Sequence, residues 1–251
     1  MIHIPDDLIL LFDKHRFHYD EAVLADIARM TELTTSARVL QYGIGTGHAT
    51  EYFAKQGYEL TAVDNSVQLV RFVRSKCGQT PNVELKALSA NAMLPAEPFG
   101  CVMVSDMPDS GVEKATAAFQ KLHNVLDPSG VLVAWWSHQK VLRCNGEMAE
   151  PLQQIHEQYQ LPVLDDLTEM PEDTEKCLTS AGFVLIQRKA YRRTREYLPA
   201  EFVELLQTYP HCYQMPFMMQ LPFYNAIHTC VSKAGTVLVE ECVEVLIGKK
   251  E

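Results

Sequence analysis

From about residue 38 the chain alternates between two hydrophobic rhythms. Short β-branched runs give way to segments in which apolar side chains return every three or four positions. Strands alternating with amphipathic helices around a parallel sheet produce this pattern. Val39-Leu40-Gln41-Tyr42 predicts the first strand, which ends in a glycine-rich turn. His48 to Gln56 predicts a helix with Ala49, Tyr52 and Phe53 on one face, stopped by Gly57. Leu60-Thr61-Ala62-Val63 reads as the second strand and is closed by Asp64-Asn65-Ser66, residues suited to cap the next helix. That helix carries Val67, Val70 and Val73 at helical spacing, with Arg74 and Lys76 near its C-terminal end, where they complement the dipole.

A third strand alternates strictly, Val83, Leu85 and Ala87 against Glu84 and Lys86. The fourth, Cys101-Val102-Met103-Val104, is apolar throughout, as a strand covered on both faces should be. Val112, Ala115, Phe119, Leu122 and Leu126 mark a further helix, broken by the turn composition of Asp127-Pro128-Ser129-Gly130. Val131 to Trp135 is the fifth strand. Regularity lapses over 137–175, apart from a helix near 149–160. A sixth strand is expected at Phe183 to Ile186, helices at Pro199 to Gln207 and near 222–233, and a last strand at Cys242 to Ile247. That strand leaves no helical room before the chain ends and is expected to lie antiparallel. The pattern predicts an α/β fold with a seven-stranded, mostly parallel sheet, helices on both faces and helical lid additions. One domain over 1–251 is expected, its core about 36–136, 181–190 and 237–249, and its lid additions about 1–35, 137–175 and 191–236.

Composition narrows the function. The 251 residues are 47% hydrophobic and 22% charged, a globular balance, with a formal net charge of −10. An acidic surface repels phosphate backbones, so no nucleic-acid partner is expected. The one dense basic run, Arg188, Lys189, Arg192, Arg193 and Arg195, is short and reads as a solvated strand end and loop. Cysteines at 77, 101, 144, 177, 212, 230 and 242 are odd in number and contain no CxxC pair, which suits reduced thiols better than disulfides or a metal site. The N-terminus lacks a secretory pattern and no apolar run reaches membrane-spanning length, so a cytoplasmic protein without a membrane partner is expected. Monomer and homodimer both remain open.

The sharpest chemical signal is Gly43-Ile44-Gly45-Thr46-Gly47 directly after the first strand. Glycines there let the backbone approach a ligand closely, and the following helix offers free N–H groups. Asp64 closes the second strand, where a carboxylate can accept hydrogen bonds from both hydroxyls of a ribose. A nicotinamide dinucleotide fold shares these features. Its fingerprint, however, needs a small third residue five positions after Gly43, and that position is His48.

With these residues the chain resembles the class I S-adenosylmethionine (SAM)-dependent methyltransferases, especially the small-molecule branch that includes trans-aconitate methyltransferase-like proteins. The resemblance runs from about Tyr19 to the C-terminus, less clearly over 137–175. It implies a Rossmann-like fold and SAM as cofactor, with S-adenosylhomocysteine as product. Gly43, Gly45 and Gly47 would wrap the methionine part, Asp64 would hold the ribose, and Asn65 and Ser66 would lie near the adenine. Ser89-Ala90-Asn91-Ala92 with Leu94-Pro95 resembles the family segment after strand three, so that Asn91 would meet the adenine amino group and the Ala92 backbone its ring. Leu126 to Leu132 resembles the family's Leu-Lys-Pro-Gly-Gly turn, and Ala181-Gly182-Phe183 another of its landmarks. Tyr197-Leu198-Pro199-Ala200-Glu201-Phe202 with Val243-Glu244-Val245 resembles the C-terminal third of the trans-aconitate-like branch.

Two departures stand out. The family usually places Asp or Glu two positions before its first glycine, to hold the cofactor's amino group. Gln41 stands here, keeping an acceptor but losing the charge. After strand four, where many relatives carry His-Trp, the sequence is Ser105-Asp106-Met107-Pro108. Asp106 could line the cofactor cleft or cap the coming helix.

Methyl transfer from a sulfonium is an in-line displacement in which positioning supplies much of the acceleration. A general base is needed only if the acceptor must lose a proton, so no catalytic residue is singled out. Around the pocket, Tyr19 could be a lid contact or a core anchor. Trp136 and His138 follow strand five toward the pocket mouth, and Arg195 could pair with a carboxylate acceptor. Met215 to Met219 with Phe223 could line an apolar pocket or join the core. The reading is O-methylation of a carboxylate or hydroxyl on a small molecule. A non-catalytic SAM-binding protein and a tRNA or other nucleic-acid methyltransferase are the alternatives.

Overall fold

A computed structural model describes residues 6–16, 19–77, 80–88, 98–105, 111–143, 149–162 and 170–251. Strands and helices alternate in the order α1 (Asp6–His15), α2 (Glu21–Met30), β1 (Arg38–Tyr42), α3 (His48–Lys55), β2 (Glu59–Asp64), α4 (Val67–Cys77), β3 (Val83–Ala87) and β4 (Phe99–Ser105). Then come α5 (Val112–Asn124), β5 (Leu126–Arg143), α6 (Ala149–Gln158), α7 (Thr174–Ser180), β6 (Phe183–Tyr197), α8 (Pro199–Leu206), α9 (Pro210–Tyr213), α10 (Phe217–Ala234) and β7 (Val237–Lys250).

All seven strands join one sheet in the order β3-β2-β1-β4-β5-β7-β6. β1 to β5 are parallel, while β7 inserts antiparallel between β5 and β6. The expected α/β class and antiparallel last strand are therefore observed. The order reverses between β1 and β4, and in open sheets of this kind a ligand crevice opens outside the carboxyl ends of the strands at that point.

The two rhythms of the sequence become two packed faces. On one, Val39, Cys101, Met103, Val133 and Trp135 meet α2 and α3 through Leu24, Ile27, Ala49 and Phe53. On the other, Leu40, Val102, Val104, Leu132 and Ala134 meet α5 and α7 through Phe119, Leu122 and Leu178. A third apolar cluster joins α6, α8, α9 and α10 to the far ends of β5, β6 and β7, through Tyr197, Phe202, Leu205, Phe223, Ile227 and Val239.

The largest difference from the sequence reading is strand length. β5 runs on to Arg143 and β6 to Tyr197, so 137–143 and 191–197, expected in the lid additions, are sheet. β4 ends opposite Trp135, and the next eight residues of β5 continue for roughly 25 Å beyond the parallel core. Polar positions such as Gln139 and Lys140 hid this extension, because its backbone is held by pairing with β7, which no local pattern of side chains announces. The turn at Asp127 to Gly130 lies inside β5 as a bulge, since Phe99 pairs with Leu126 and Cys101 with Val131. α10 begins five residues ahead of the expected start and carries Pro222 inside it. Met215 and Phe223 are core, but Phe217 and Met218 are each 84% exposed.

The basic run is likewise part of a strand. β6 is the sheet edge, and its cations face carboxylates on neighbouring elements: Arg188 with Glu244 and Glu175, Lys189 with Asp26, Arg192 with Glu240, and Arg193 with Asp20 and Glu241. Charged side chains along an edge also discourage pairing with a stray strand. The six described cysteines are free thiols and buried. Among the described residues, no helix is long and apolar enough to cross a membrane.

Candidate functional site

The turn after β1 sits at the point where strand order reverses. Gly43, Gly45 and Gly47 have φ of 82°, 52° and 92°, all in the left-handed region that glycine enters without a side-chain penalty. Space adds a second constraint at two of them. A Cβ on Gly43 would lie 3.0 Å from Ser105 Oγ, and one on Gly47 2.9 Å from a Val73 methyl. Around Gly45 nothing lies within 4 Å of that position, and the residue is exposed. The turn is thus packed from beneath at its ends and open at its centre.

Two side chains set its shape. Ser105, at the end of β4, donates from Oγ to the Gly43 carbonyl at 2.9 Å and so bridges the reversal point. Asp64, at the end of β2, accepts from Ile44 N–H at 3.0 Å on one oxygen and from Ser66 N–H at 2.8 Å on the other. Burial raises the Asp64 pKa, while backbone N–H groups of Ser66, Ile44, Gly45 and Asn65 favour the charged form. A carboxylate has about four lone-pair positions, and the contacts from Ile44 and Ser66 fall one on each oxygen.

Gln41 is buried at 2% exposure and accepts from Thr50 Oγ at 2.8 Å. Its carbonyl oxygen is therefore occupied by α3, which a sequence reading of the glycine motif does not reveal. Ser66 is also buried, and its hydroxyl accepts from Leu69 N–H at 3.2 Å, capping α4. Asn65 lies beside it, half-buried. Asn91, Ala92 and Asp106 lie outside the described residues.

The residues expected near the acceptor do not converge. Tyr19 OH accepts from the indole N–H of Trp135 at 2.8 Å, and its ring stands edge-on to that indole. Trp136 is buried among Leu246 and Ala134 on the opposite face of the sheet. His138 follows two residues on, opposite Cys242 of β7, with a buried Nδ1 lacking a hydrogen-bond partner. Arg195 stacks on the Tyr197 ring with its guanidinium carbon 4.6 Å from the centroid.

Other residues enter the site from parts of the chain the sequence reading left without roles. Asp13 of α1 pairs with Lys76 of α4 and with His48 at the start of α3. Lys76 also donates to the Thr46 carbonyl at 3.2 Å. Burial works against the Asp13 charge, but Lys76 outweighs it and the pKa is lowered. On the far side of α1, Lys14 and His15 both contact Glu204 of α8. The first helix therefore spans from the glycine turn to α8.

Beyond the parallel core the sheet carries a buried polar network. Glu241 of β7, fully buried, accepts from Gln139 at 2.9 Å, Tyr197 at 3.0 Å and Arg193 at 2.6 Å. Tyr209 OH donates to Gln139 at 2.6 Å. No sequence motif announces this cluster, because its members come from three strands and a loop. Among the described residues, no group of three His, Cys, Asp or Glu side chains is placed to hold a metal ion.

Residues 39–130 match the profile of a family described as a methyltransferase domain. The chain is 39% identical over 59 residues to the ribosomal RNA small subunit methyltransferase A of Anaeromyxobacter sp. (strain K), a stretch covering 24% of this chain and 21% of that one. The chain thus spans about a fifth of that relative's length. Among solved structures, the YcgJ protein of Bacillus subtilis aligns over 92% of this chain and 99% of its own, at 13% identity and a TM-score of 0.61. A cyclopropane synthase of Mycobacterium tuberculosis aligns over 98% and 95%, at 17% identity and a TM-score of 0.58. A Haemonchus contortus phosphoethanolamine N-methyltransferase, solved with S-adenosylhomocysteine, aligns over 98% and 57%, at 15% identity and a TM-score of 0.54. At these identities the structures share the fold.

Proposed function

We propose that this chain, whose residues 39–130 form a methyltransferase domain of the SAM-dependent class I kind, moves the methyl group of SAM to a small-molecule acceptor. One observation carries the reading: a left-handed glycine turn, open at Gly45, stands beside a buried carboxylate at the end of the neighbouring strand. When bound, SAM supplies an electrophilic methyl carbon on a sulfonium with a good leaving group. The chain's own residues bind and orient. Asp64 holds the ribose, the Gly43–Gly47 backbone follows the methionine part, and Ser105 fixes the Gly43 carbonyl that faces it. Gln41 offers a neutral amide where the family usually has a carboxylate, a weaker partner for an ammonium by about 1–3 kcal/mol.

On this reading the helices outside 39–130 roof one acceptor pocket and belong to the same domain, with β5, β6 and β7 as its wall. O-methylation of a carboxylate or hydroxyl is the favoured chemistry. The acidic balance of the chain supports a small acceptor over a nucleic acid. A nucleic-acid acceptor is the second reading, favoured by the 59-residue likeness to a ribosomal RNA methyltransferase. Against it, Arg188, Arg192 and Arg193 of β6 are engaged by carboxylates of β7, and Lys189 by Asp26 of α2.

Calorimetry with SAM and S-adenosylhomocysteine is the first test, with micromolar heats expected from both. A methyl-release assay over a metabolite panel, with ribosomal RNA fragments at low salt as a separate arm, then distinguishes the readings. Absence of any heat with either compound would remove the assignment. Binding without turnover on every acceptor would point to a non-catalytic SAM-binding protein.

A further inference from the structure

Where α1 ends, the structure gathers a cation and several buried polar atoms that have no counter-ion or hydrogen-bond partner among the described residues. Arg16 closes the last turn of α1, its N–H bonded to the Phe12 carbonyl at 3.0 Å. The guanidinium lies over the Tyr209 ring, 4.3 Å from its centroid, and 5.6 Å from that of Phe12. Five N–H donors are available on an arginine, and stacking on the ring leaves the fork for an in-plane partner. No carboxylate among the described residues pairs with Arg16, although the chain carries ten more acidic than basic residues.

The short α9 brings two further groups to the same place. Among the described residues Tyr213 OH and His211 Nε2, both shielded from solvent, have no hydrogen-bond partner, and their rings lie 6.3 Å from Phe12 and 5.7 Å from Tyr209, the two rings that Arg16 covers. His156 of α6 adds a third unmet atom. Its ring bonds to the Pro162 carbonyl, and Nδ1 is left without a partner. Native proteins pair nearly all such atoms, so several unpaired ones around an unpaired cation are the mark of a site that something fills. Phe12, with its ring 6.3 Å from that of Tyr213, supplies an apolar wall.

Position gives the site its meaning. Asp13, three residues before Arg16, is tied to Lys76 and His48 at the glycine turn. One helical turn rises about 5 Å, so the Arg16 cluster lies about a turn of α1 from the cofactor side. Tyr209 also links the cluster to Gln139 at the wall of the sheet extension.

We infer that Arg16, His211 and Tyr213 form an anion subsite that holds a carboxylate of the methyl acceptor. The role as acceptor subsite rests on the methyl-transfer reading above; the binding of a carboxylate does not. A planar guanidinium fork matches a carboxylate in two-point geometry, and the neutral imidazole and phenol supply donors to its outer lone pairs. Arg195, which the sequence made the candidate for this task, instead stacks on Tyr197.

The test uses the full chain with succinate and inorganic phosphate as probes. The His211 ring resonance is identified by its loss in His211→Asn and followed by NMR through each titration. Succinate is expected to shift it saturably, in the millimolar range or tighter, and Arg16→Gln is expected to weaken that binding at least tenfold. Tyr213→Phe, which removes only the hydroxyl, is expected to weaken it about threefold, and it decides the matter should Arg16→Gln unfold. No saturable shift, or the same affinity in these variants, overturns the subsite and leaves ordered water as its filling. Phosphate binding tenfold tighter than succinate overturns the carboxylate assignment. S-adenosylhomocysteine calorimetry on the same samples separates the two ideas. Heat without a succinate response sinks the subsite alone. A succinate response without heat keeps the anion site and sinks its role in methyl transfer.

Discussion

Three glycines in one turn do different jobs, and substitution can tell them apart. At Gly47 an added methyl group would strike the Val73 side chain at 2.9 Å and occupy a φ of 92°. Overpacking of about 1–3 kcal/mol and a left-handed penalty of about 1–2 kcal/mol both apply, so Gly47→Ala should lose roughly 2–5 kcal/mol of stability. At Gly45 only the backbone penalty remains, because the space is open. Gly45→Ala should therefore lose only about 1–2 kcal/mol of stability, yet bind SAM roughly tenfold or more weakly, about 1.4 kcal/mol. Urea denaturation and calorimetry on the two variants give the comparison. Unchanged SAM affinity in Gly45→Ala would count against the open turn as the cofactor seat. The motif was legible at this scale because glycine is required by its own dihedrals. The partners Ser105 and Thr50 were not, since a hydroxyl in a sequence does not say which carbonyl it will find.

At the scale of elements, the extension of β5, β6 and β7 holds the largest electrostatic commitment. Glu241 is fully buried and bonded by Arg193, Tyr197 and Gln139, whereas Glu240 and Arg192 form a pair nearer the surface. Removing one partner of a buried pair leaves the other uncompensated, so Glu241→Ala should cost about 3–5 kcal/mol. Arg192→Ala should cost less than about 1 kcal/mol, as surface pairs do. Equal losses in chemical denaturation would mean that water reaches the Glu241 network. A second element effect lies in the β5 bulge, where Ser129 adopts a φ of 62°. The family turn that this segment resembles has glycine there, and the dihedral supplies the reason. Ser129→Gly should raise stability by up to about 1 kcal/mol, read as a higher melting temperature. The turn residues announced a reversal correctly, but whether the chain then left the sheet or bulged within it depended on β4 lying alongside.

Across the whole molecule, acid stability reports how α1, α6 and α9 are packed. Burial lowers the pKa of His15, His156 and His211 from an ordinary value of 6.5; at His211 the charges of His156 and Arg16 add to it, down to about 4. The unfolded chain therefore takes up these protons first. Stability is expected to fall as pH drops from about 6.5, each histidine adding up to about 1.4 kcal/mol per pH unit. Asp26 is held low by hydrogen bonds from Lys189, Tyr191 and Arg29, and Glu204 by Lys14 and His15 against the cost of burial. Their stabilisation is complete above the ordinary carboxylate values and lost only as pH falls below them, at a lower pH than the histidine limb. Urea midpoints measured from pH 7 to 4 should decline well before carboxylates titrate, and His211→Gln should flatten that decline. A constant midpoint between pH 7 and 5 would show these rings to be solvated.

By itself the sequence determined the sheet class, the two buried faces and the glycine turn with Asp64, because each is a local property. Periodicity, composition and backbone dihedrals belong to a few neighbouring residues and do not wait for a partner. The tertiary structure alone decided how far β5 and β6 extend, where the β6 arginines find their counter-ions, and that Arg16 stands without a carboxylate partner among the described residues. Glu241 meets Gln139 across 102 positions, and Lys14 meets Glu204 across 190. Contacts of that span depend on chain closure and packing that no local pattern encodes, and for that reason Arg16 emerged only when the chain was folded.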